Sequence, residues 1–252
     1  MDFTYELGET PFRRALRHGM ALWYDQSSPT KDWGAGVGSG DNERTMTKFV
    51  ADRIEGKLGE VAFQRLLDEE FGVESTVDWD VYGDIEETDD ADLGGIGPDG
   101  EYPPGVGFDV KKTKPRNLWL AVRASIWRDH GDADPFVLCK LDLPDRVGLE
   151  PWADAGTYPD DDPEFERAVA EWCERHLPIS VSVVGYAEKR DFTDFFERGD
   201  RLYHPGGGFD IGPRLKTDNR GIPVEDLRAD REAWNELVER VVEGTPVDPR
   251  PL

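Results

Sequence analysis

The chain has 252 residues, enough for one large or two small domains with a real core, and 54 acidic residues against 30 basic ones give it a net charge of −24. Its two cysteines, Cys139 and Cys173, show no metal-like spacing, which excludes a disulfide scaffold and a zinc finger. No apolar run is long enough to span a membrane and no signal-peptide pattern opens the chain, so a soluble, cytoplasmic protein with no membrane partner is expected.

Lysine is scarce beside arginine, nine against twenty-one, and acid is spread along the whole length rather than gathered in a tail. A carboxylate-rich surface of this kind keeps a protein hydrated at high salt, so the composition reads as halophilic; an ordinary acidic protein is the plainer alternative. An overall field of this sign repels phosphates, so local clusters of cations matter more than net charge.

In chain order, Pro11 to Tyr24 reads as a short helix carrying Arg13, Arg14, Arg17 and His18. This cluster is either a contact for a phosphate backbone or an ordinary solvated face. The stretch Trp33-Gly-Ala-Gly-Val-Gly-Ser-Gly40 lacks the lysine and hydroxyl of a phosphate-binding loop and is read as a connector. From Asn42 to Phe71 the apolar residues Phe49, Ile54, Leu58, Val61, Ala62, Leu66 and Leu67 recur at helical spacing, with Gly56 a candidate break and Gly72 a stop. Val73, Val77, Trp79 and Val81 then predict a strand, with Asp78 and Asp80 toward solvent. After an acid-dense run, Leu93 and Ile96 predict a second strand, and Gly97-Pro-Asp-Gly100 the turn that follows it.

The stretch Gly105-Val-Gly-Phe-Asp-Val-Lys-Lys-Thr-Lys-Pro115 organises the rest. Val106, Phe108 and Val110 alternate with Gly107, Asp109 and Lys111, so a strand here buries one face and presents a carboxylate and an ammonium together on the other. The carboxylate suits a hard divalent cation, and the lysine suits orienting or deprotonating a water and opposing charge on a phosphate. A second acid-x-Lys triplet, Glu55-Gly-Lys57, lies on no such alternating pattern and is set aside as a chance match. Lys112, Lys114 and Arg116 complete a concentration of cations after Asp109. A helix is then expected over Asn117 to Asp129, on the stripe Leu118, Val122, Ile126, followed by a buried strand over Pro135 to Leu143, in which Lys140 is read as structural.

This order, an acid-x-Lys strand, a helix and a parallel strand, resembles the PD-(D/E)xK nuclease superfamily of restriction enzymes and junction resolvases. The resemblance covers about residues 50 to 145, and 180 to 195 weakly. It implies an α/β, restriction-endonuclease-like core, a central mixed sheet flanked by helices. It also implies hydrolysis of DNA phosphodiesters with Mg²⁺ or Mn²⁺, in restriction or another host-defence role, with junction resolution or repair behind it. By the same resemblance Asp109 and one aspartate before it bind metal, Lys111 positions the water, and Glu60, in a Gly-Glu pair of the first core helix, is a further ligand or water organiser. Asp92, before Leu93, suits the preceding aspartate best; Asp84 is the runner-up and Asp90 stays open. No proline precedes Asp92, a departure from the family's motif that leaves the choice of aspartate unsettled.

Beyond the core, Glu164 to His176 reads as an acidic amphipathic helix and Ile179 to Tyr186 as a strand, with a short acid-rich helix after it. Residues 200 to 223 read as a polar, turn-rich loop in which Arg201, His204, Arg214, Lys216 and Arg220 alternate with Tyr203 and Phe209, and Arg214 and Lys216 join the lysine cluster as candidate nucleic-acid contacts. Val224 to Val242 predicts a final helix docking Leu227, Trp234, Leu237, Val238 and Val241. The expected organisation is an N-terminal extension over 1–45, a core over 46–195 and a C-terminal loop and helix over 196–252 on the same domain. DNA is the expected partner, with a homodimer or a defence complex as the expected assembly; the rival class is a non-catalytic nucleic-acid-binding or assembly subunit of the same fold.

Overall fold

In the computed structural model, residues 2–24, 45–80, 92–131, 134–144, 147–153, 158–159, 161–207 and 210–252 are described. The chain begins with β1 (Phe3–Leu7), whose Tyr5 and Leu7 are buried while Thr4 and Glu6 face out, a period-2 pattern too short to stand out in the sequence. Helix α1 (Glu9–Tyr24) follows and lies against α2 (Met46–Arg65). The two helices come close at Gly19, where an added Cβ would lie 3.2 Å from Arg53 Cβ and from Val50 Cγ1. Thr45 caps α2 by accepting from the Lys48 amide at 3.3 Å. Gly56, the candidate break, sits inside an unbroken helix that continues through a π turn, Leu66–Glu70.

Strands β2 (Ser75–Val77) and β3 (Leu93–Ile96) pair antiparallel, and the turn at 97–100 closes through Gly100 N–H to the Gly97 carbonyl at 3.0 Å. Next come β4 (Asp109–Thr113), β5 (Trp119–Arg123), a short α3 (Ala124–Asp129) and β6 (Phe136–Lys140). After α4 (Pro163–His176), β7 (Ile179–Ala187) crosses the molecule, followed by β8 (Asp194–Phe196), β9 (Arg201–Tyr203), β10 (Asp210–Arg214), β11 (Asn219–Pro223) and α5 (Arg231–Val241).

The main sheet runs β1-β7-β6-β4, with β7 antiparallel to both neighbours and β4 parallel to β6, so it is mixed. β6 shows how two cores are built from one strand. Val137 and Cys139 join the helices on one face, while Phe136 and Leu138 join Leu120, Val122 and Ile222 on the other. The second face is covered by a small antiparallel sheet, β5-β11-β8. The helical face carries the larger core, including the stacked pair Phe12 and Trp172, with centroids 4.3 Å apart, and the fully buried Trp234 of α5. The molecule is therefore a mixed α/β fold with a mixed sheet flanked by helices. Among the described residues no helix is long and apolar enough to cross a membrane.

Several elements differ from the sequence reading. The helix expected over 117–129 is strand β5 plus one and a half turns of α3. Trp119, Leu120 and Val122 are all buried, because this strand has protein on both faces, and the i, i+4 stripe was a by-product of that continuous apolar run. The polar stretch 200–223 contains β9, β10 and β11, its ladder hydrogen bonds doing what its few apolar side chains do not. After β7 a single 3-10 turn, Lys189–Asp191, stands where a short helix was expected, and α5 begins at Arg231 rather than Val224, with Asp230 capping the Ala233 amide at 2.9 Å. Residues 3–24, set apart in sequence as an extension, supply an edge strand of the main sheet and a helix of its cover.

Candidate active site

The site forms where α2 crosses the end of the main sheet. Gly59 makes the crossing close: a Cβ there would lie 3.4 Å from Cys139 Cβ and 3.5 Å from Val110 Cγ1. The residue that follows, Glu60, is thereby held beside the sheet and is 6% exposed. One turn back, Lys57 donates to Glu60 Oε2 at 2.7 Å and to the Asp78 carbonyl, tying α2 to the chain just beyond β2.

β4 supplies the second half. As the outer strand of its sheet, it uses the Asp109 amide to reach the Pro135 carbonyl at 3.2 Å on the β6 side. The next amide, Val110 N–H, points the opposite way, to the free edge, and donates to the Asp92 carboxylate. Asp92 is fixed in turn by its own N–H, which donates to the Phe108 carbonyl at 3.2 Å. Asp109 and Lys111 share the other face of β4 and form an ion pair, Lys111 Nζ on Asp109 Oδ2. Asp92, Asp109 and Lys111 thus gather at this edge, and Glu60, on the α2 side of the sheet, neighbours Asp92.

The electrostatics follow from crowding like charges out of water. Burial, then the charge of Asp92, pushes the Glu60 carboxyl up to about 8, against the pull of Lys57. Burial, then Asp109, pushes Asp92 up to about 6, opposed by Lys111 and the Val110 N–H. Cys139 thiol is raised by burial beside Glu60 and Asp92 and is inert packing. Glu60 and Asp109 each neighbour Asp92 in this desolvated place, and carboxylate oxygens are the donors a hard divalent cation takes. Among the described residues no three His, Cys, Asp or Glu side chains stand ready to close on a metal ion. Two of the three carboxylates here face an ammonium instead, Asp109 that of Lys111 and Glu60 that of Lys57.

Asp84 and Asp90 lie outside the described residues. The expected nucleic-acid contacts do not gather at the carboxylates. Lys112, on the face of β4 turned toward α2, is held by Glu55 and Asp52, and Lys114 by Asp142. They line a charge-balanced hollow of about 280 Å³. Arg116 is exposed on the turn after β4; Arg214 donates to the Gly199 carbonyl at 2.7 Å, and Lys216 is exposed after β10.

Sequence reasoning missed a neighbouring set. Lys57 belongs to the triplet set aside for lacking a strand, although its spacing of three from Glu60 on a helix places both on one face. Trp79 lies beside it, with Lys57 Nζ 5.7 Å and the Arg14 guanidinium 4.4 Å from the ring centroid and His18 edge-on at 6.1 Å. His18 is pushed down to about 4 by burial, then by Lys57, while a backbone hydrogen bond at Asp80 opposes the shift. The sequence matches no protein-family model, no curated protein and no solved structure.

Proposed function

We propose that the protein is a metal-dependent deoxyribonuclease with a restriction-endonuclease-like core, acting on DNA phosphodiester bonds in restriction or a related defence role. The observation that carries this reading is the gathering of Asp92, Asp109 and Lys111 at the free edge of β4, with Glu60 of α2 beside Asp92. β4 pairs parallel with β6, as the resemblance implies, although the chain between them forms strand β5 and the short α3 rather than the expected helix.

Asp92 and Asp109, with Glu60 beside them, would hold Mg²⁺ or Mn²⁺, which when bound supplies a Lewis acid for phosphoryl oxygen and acidifies a water. Lys111, its ammonium already beside Asp109, would orient an attacking water and oppose the charge that builds on the phosphate. Lys57 keeps the Glu60 carboxylate aimed and partly neutralised.

Cleavage of plasmid and linear DNA, plain and methylated, at high KCl with Mg²⁺ or Mn²⁺ tests the proposal. Cutting that stops with a chelator or with Asp92→Asn is the expected outcome. The ammonium groups seated on Asp109 and Glu60 favour a second reading, a subunit that binds nucleic acid with this fold and does not cut it. DNA bound but left intact on every substrate and metal would move the conclusion to that reading.

A further inference from the structure

Beside the carboxylate site, the first turn of α1, the later turns of α2 and the end of β2 enclose a cleft of about 440 Å³. Its charged lining, among the described residues, consists of Arg14 and Arg65 with no carboxylate, in a chain whose acids outnumber its bases by almost two to one. The remaining wall is mainly apolar, running along Val61 and Val77 to Trp79. Arg65 is already held by Glu69 at 2.6 Å, whereas Arg14 contacts the Trp79 ring and pairs with no carboxylate among the described residues. This contrasts with Lys112 and Lys114, whose charges are answered by Glu55, Asp52 and Asp142. The cleft adjoins the carboxylates through Lys57, which touches both Glu60 and the Trp79 ring.

We infer that this cleft holds one nucleotide of the substrate strand next to the bond to be cut, its phosphate on Arg14 and its sugar and base along the wall that ends in Trp79. The inference rests on the hydrolytic reading above and adds where the strand runs: along the seam of α1 and α2, not past the lysines that follow Asp109. Size, the Arg14 guanidinium and a mainly apolar wall each suit a nucleotide, since apolar contact with the base and charge-assisted contact with phosphate are sequence-tolerant terms in binding a strand. The Trp79 ring beneath Arg14 holds that guanidinium in place.

The test is equilibrium binding of labelled single-stranded and duplex oligonucleotides, with chelator present, by the full chain carrying Lys111→Ala so that cutting does not intrude. Adding Arg14→Ala should weaken binding about tenfold and reduce the slope of log affinity against log salt by about one contact, with Arg14→Lys restoring the slope. Thr10→Trp, at an exposed position on the rim, should weaken binding by obstruction, and Lys114→Ala should leave it unchanged. Full affinity in both Arg14→Ala and Thr10→Trp would overturn the inference and leave the hydrolytic reading standing. A Lys111→Ala parent that binds neither oligonucleotide would overturn the inference, while the hydrolytic reading would still be decided by metal-dependent cleavage with the wild-type chain.

Discussion

Lys57 and Glu60 are paired where little water reaches, their side chains 13% and 8% exposed, so removing one partner has unequal consequences. Lys57→Ala strips both Glu60 and the Asp78 carbonyl of a buried donor and lets Glu60 take up a proton, and should cost about 2 kcal/mol in urea unfolding at pH 8, whereas Glu60→Gln, which keeps shape and loses charge, should cost under about 1 kcal/mol. Equal losses would mean that the pair is not desolvated. His18 gives a pH signature. Its folded value is depressed from 6.5 to about 4 by burial among Lys57 and Arg53, with Asp78 and the Asp80 backbone opposing, so the fold favours the neutral ring. Its contribution is therefore complete above pH 6.5 and lost as pH falls from there toward 4, worth up to roughly 3 kcal/mol at about 1.4 kcal/mol per pKa unit. The stability difference between wild type and His18→Gln should shrink across that window; a difference independent of pH would refute the assignment. At this scale the sequence disclosed Asp109 and Lys111 because a two-residue period puts them on one face. It could not disclose Lys57, whose second partner is the carbonyl of Asp78, twenty-one residues on, or the engagement of Lys112 by α2, which depends on how helix and sheet cross.

At the scale of elements, the site depends on how near α2 lies to the sheet, and Gly59 sets that spacing. An alanine there would make ordinary contacts with Cys139 and Val110, so Gly59→Ala should fold and bind Mn²⁺ as wild type does. Gly59→Leu has no such room; it should lever α2 away, carry Glu60 from Asp92 and weaken Mn²⁺ binding in a calorimetric titration by about tenfold or more. Undiminished binding by the leucine variant would show that Glu60 takes no part. The strands at 93–96 and 136–140 and helices α2 and α5 were legible from their apolar residues, because each buries one face or, for β6, both, and α1 and α4 lie where helices were expected. β5 was misread since an apolar run with protein on either side has no period to recognise. Of the strands missed within 200–223, β11 has Arg220 paired across to Phe195 of β8 and lying over that ring at 5.0 Å, a stabilisation that hydrophobic patterning does not register.

Over the whole molecule, the charge of −24 opposes folding by self-repulsion and opposes any polyanion that approaches. Raising KCl from about 0.1 to about 2 M shortens the screening length to a few ångströms, so the melting temperature should climb, by about 2–4 °C for each kcal/mol gained. A melting temperature that is flat or falls with salt would contradict the halophilic reading of the composition. The same salt weakens phosphate contacts, which is why the placement of cations within the acidic surface, at Arg14 rather than at the answered lysines, decides how a strand could approach. Mixed α/β architecture was legible from the alternation of strand and helix signals, while the joining of β1, near the N-terminus, to β7, late in the chain, is a long-range pairing that local pattern does not encode. All of this turns on whether the group at the edge of β4 performs hydrolysis. The decisive measurement is the rate of Mg²⁺- or Mn²⁺-dependent DNA cleavage by Lys111→Ala beside wild type at matched metal occupancy. A loss of about a hundredfold or more with the fold and metal binding intact is the predicted result; cleavage at the wild-type rate would contradict the role given to Lys111 and the site built around it.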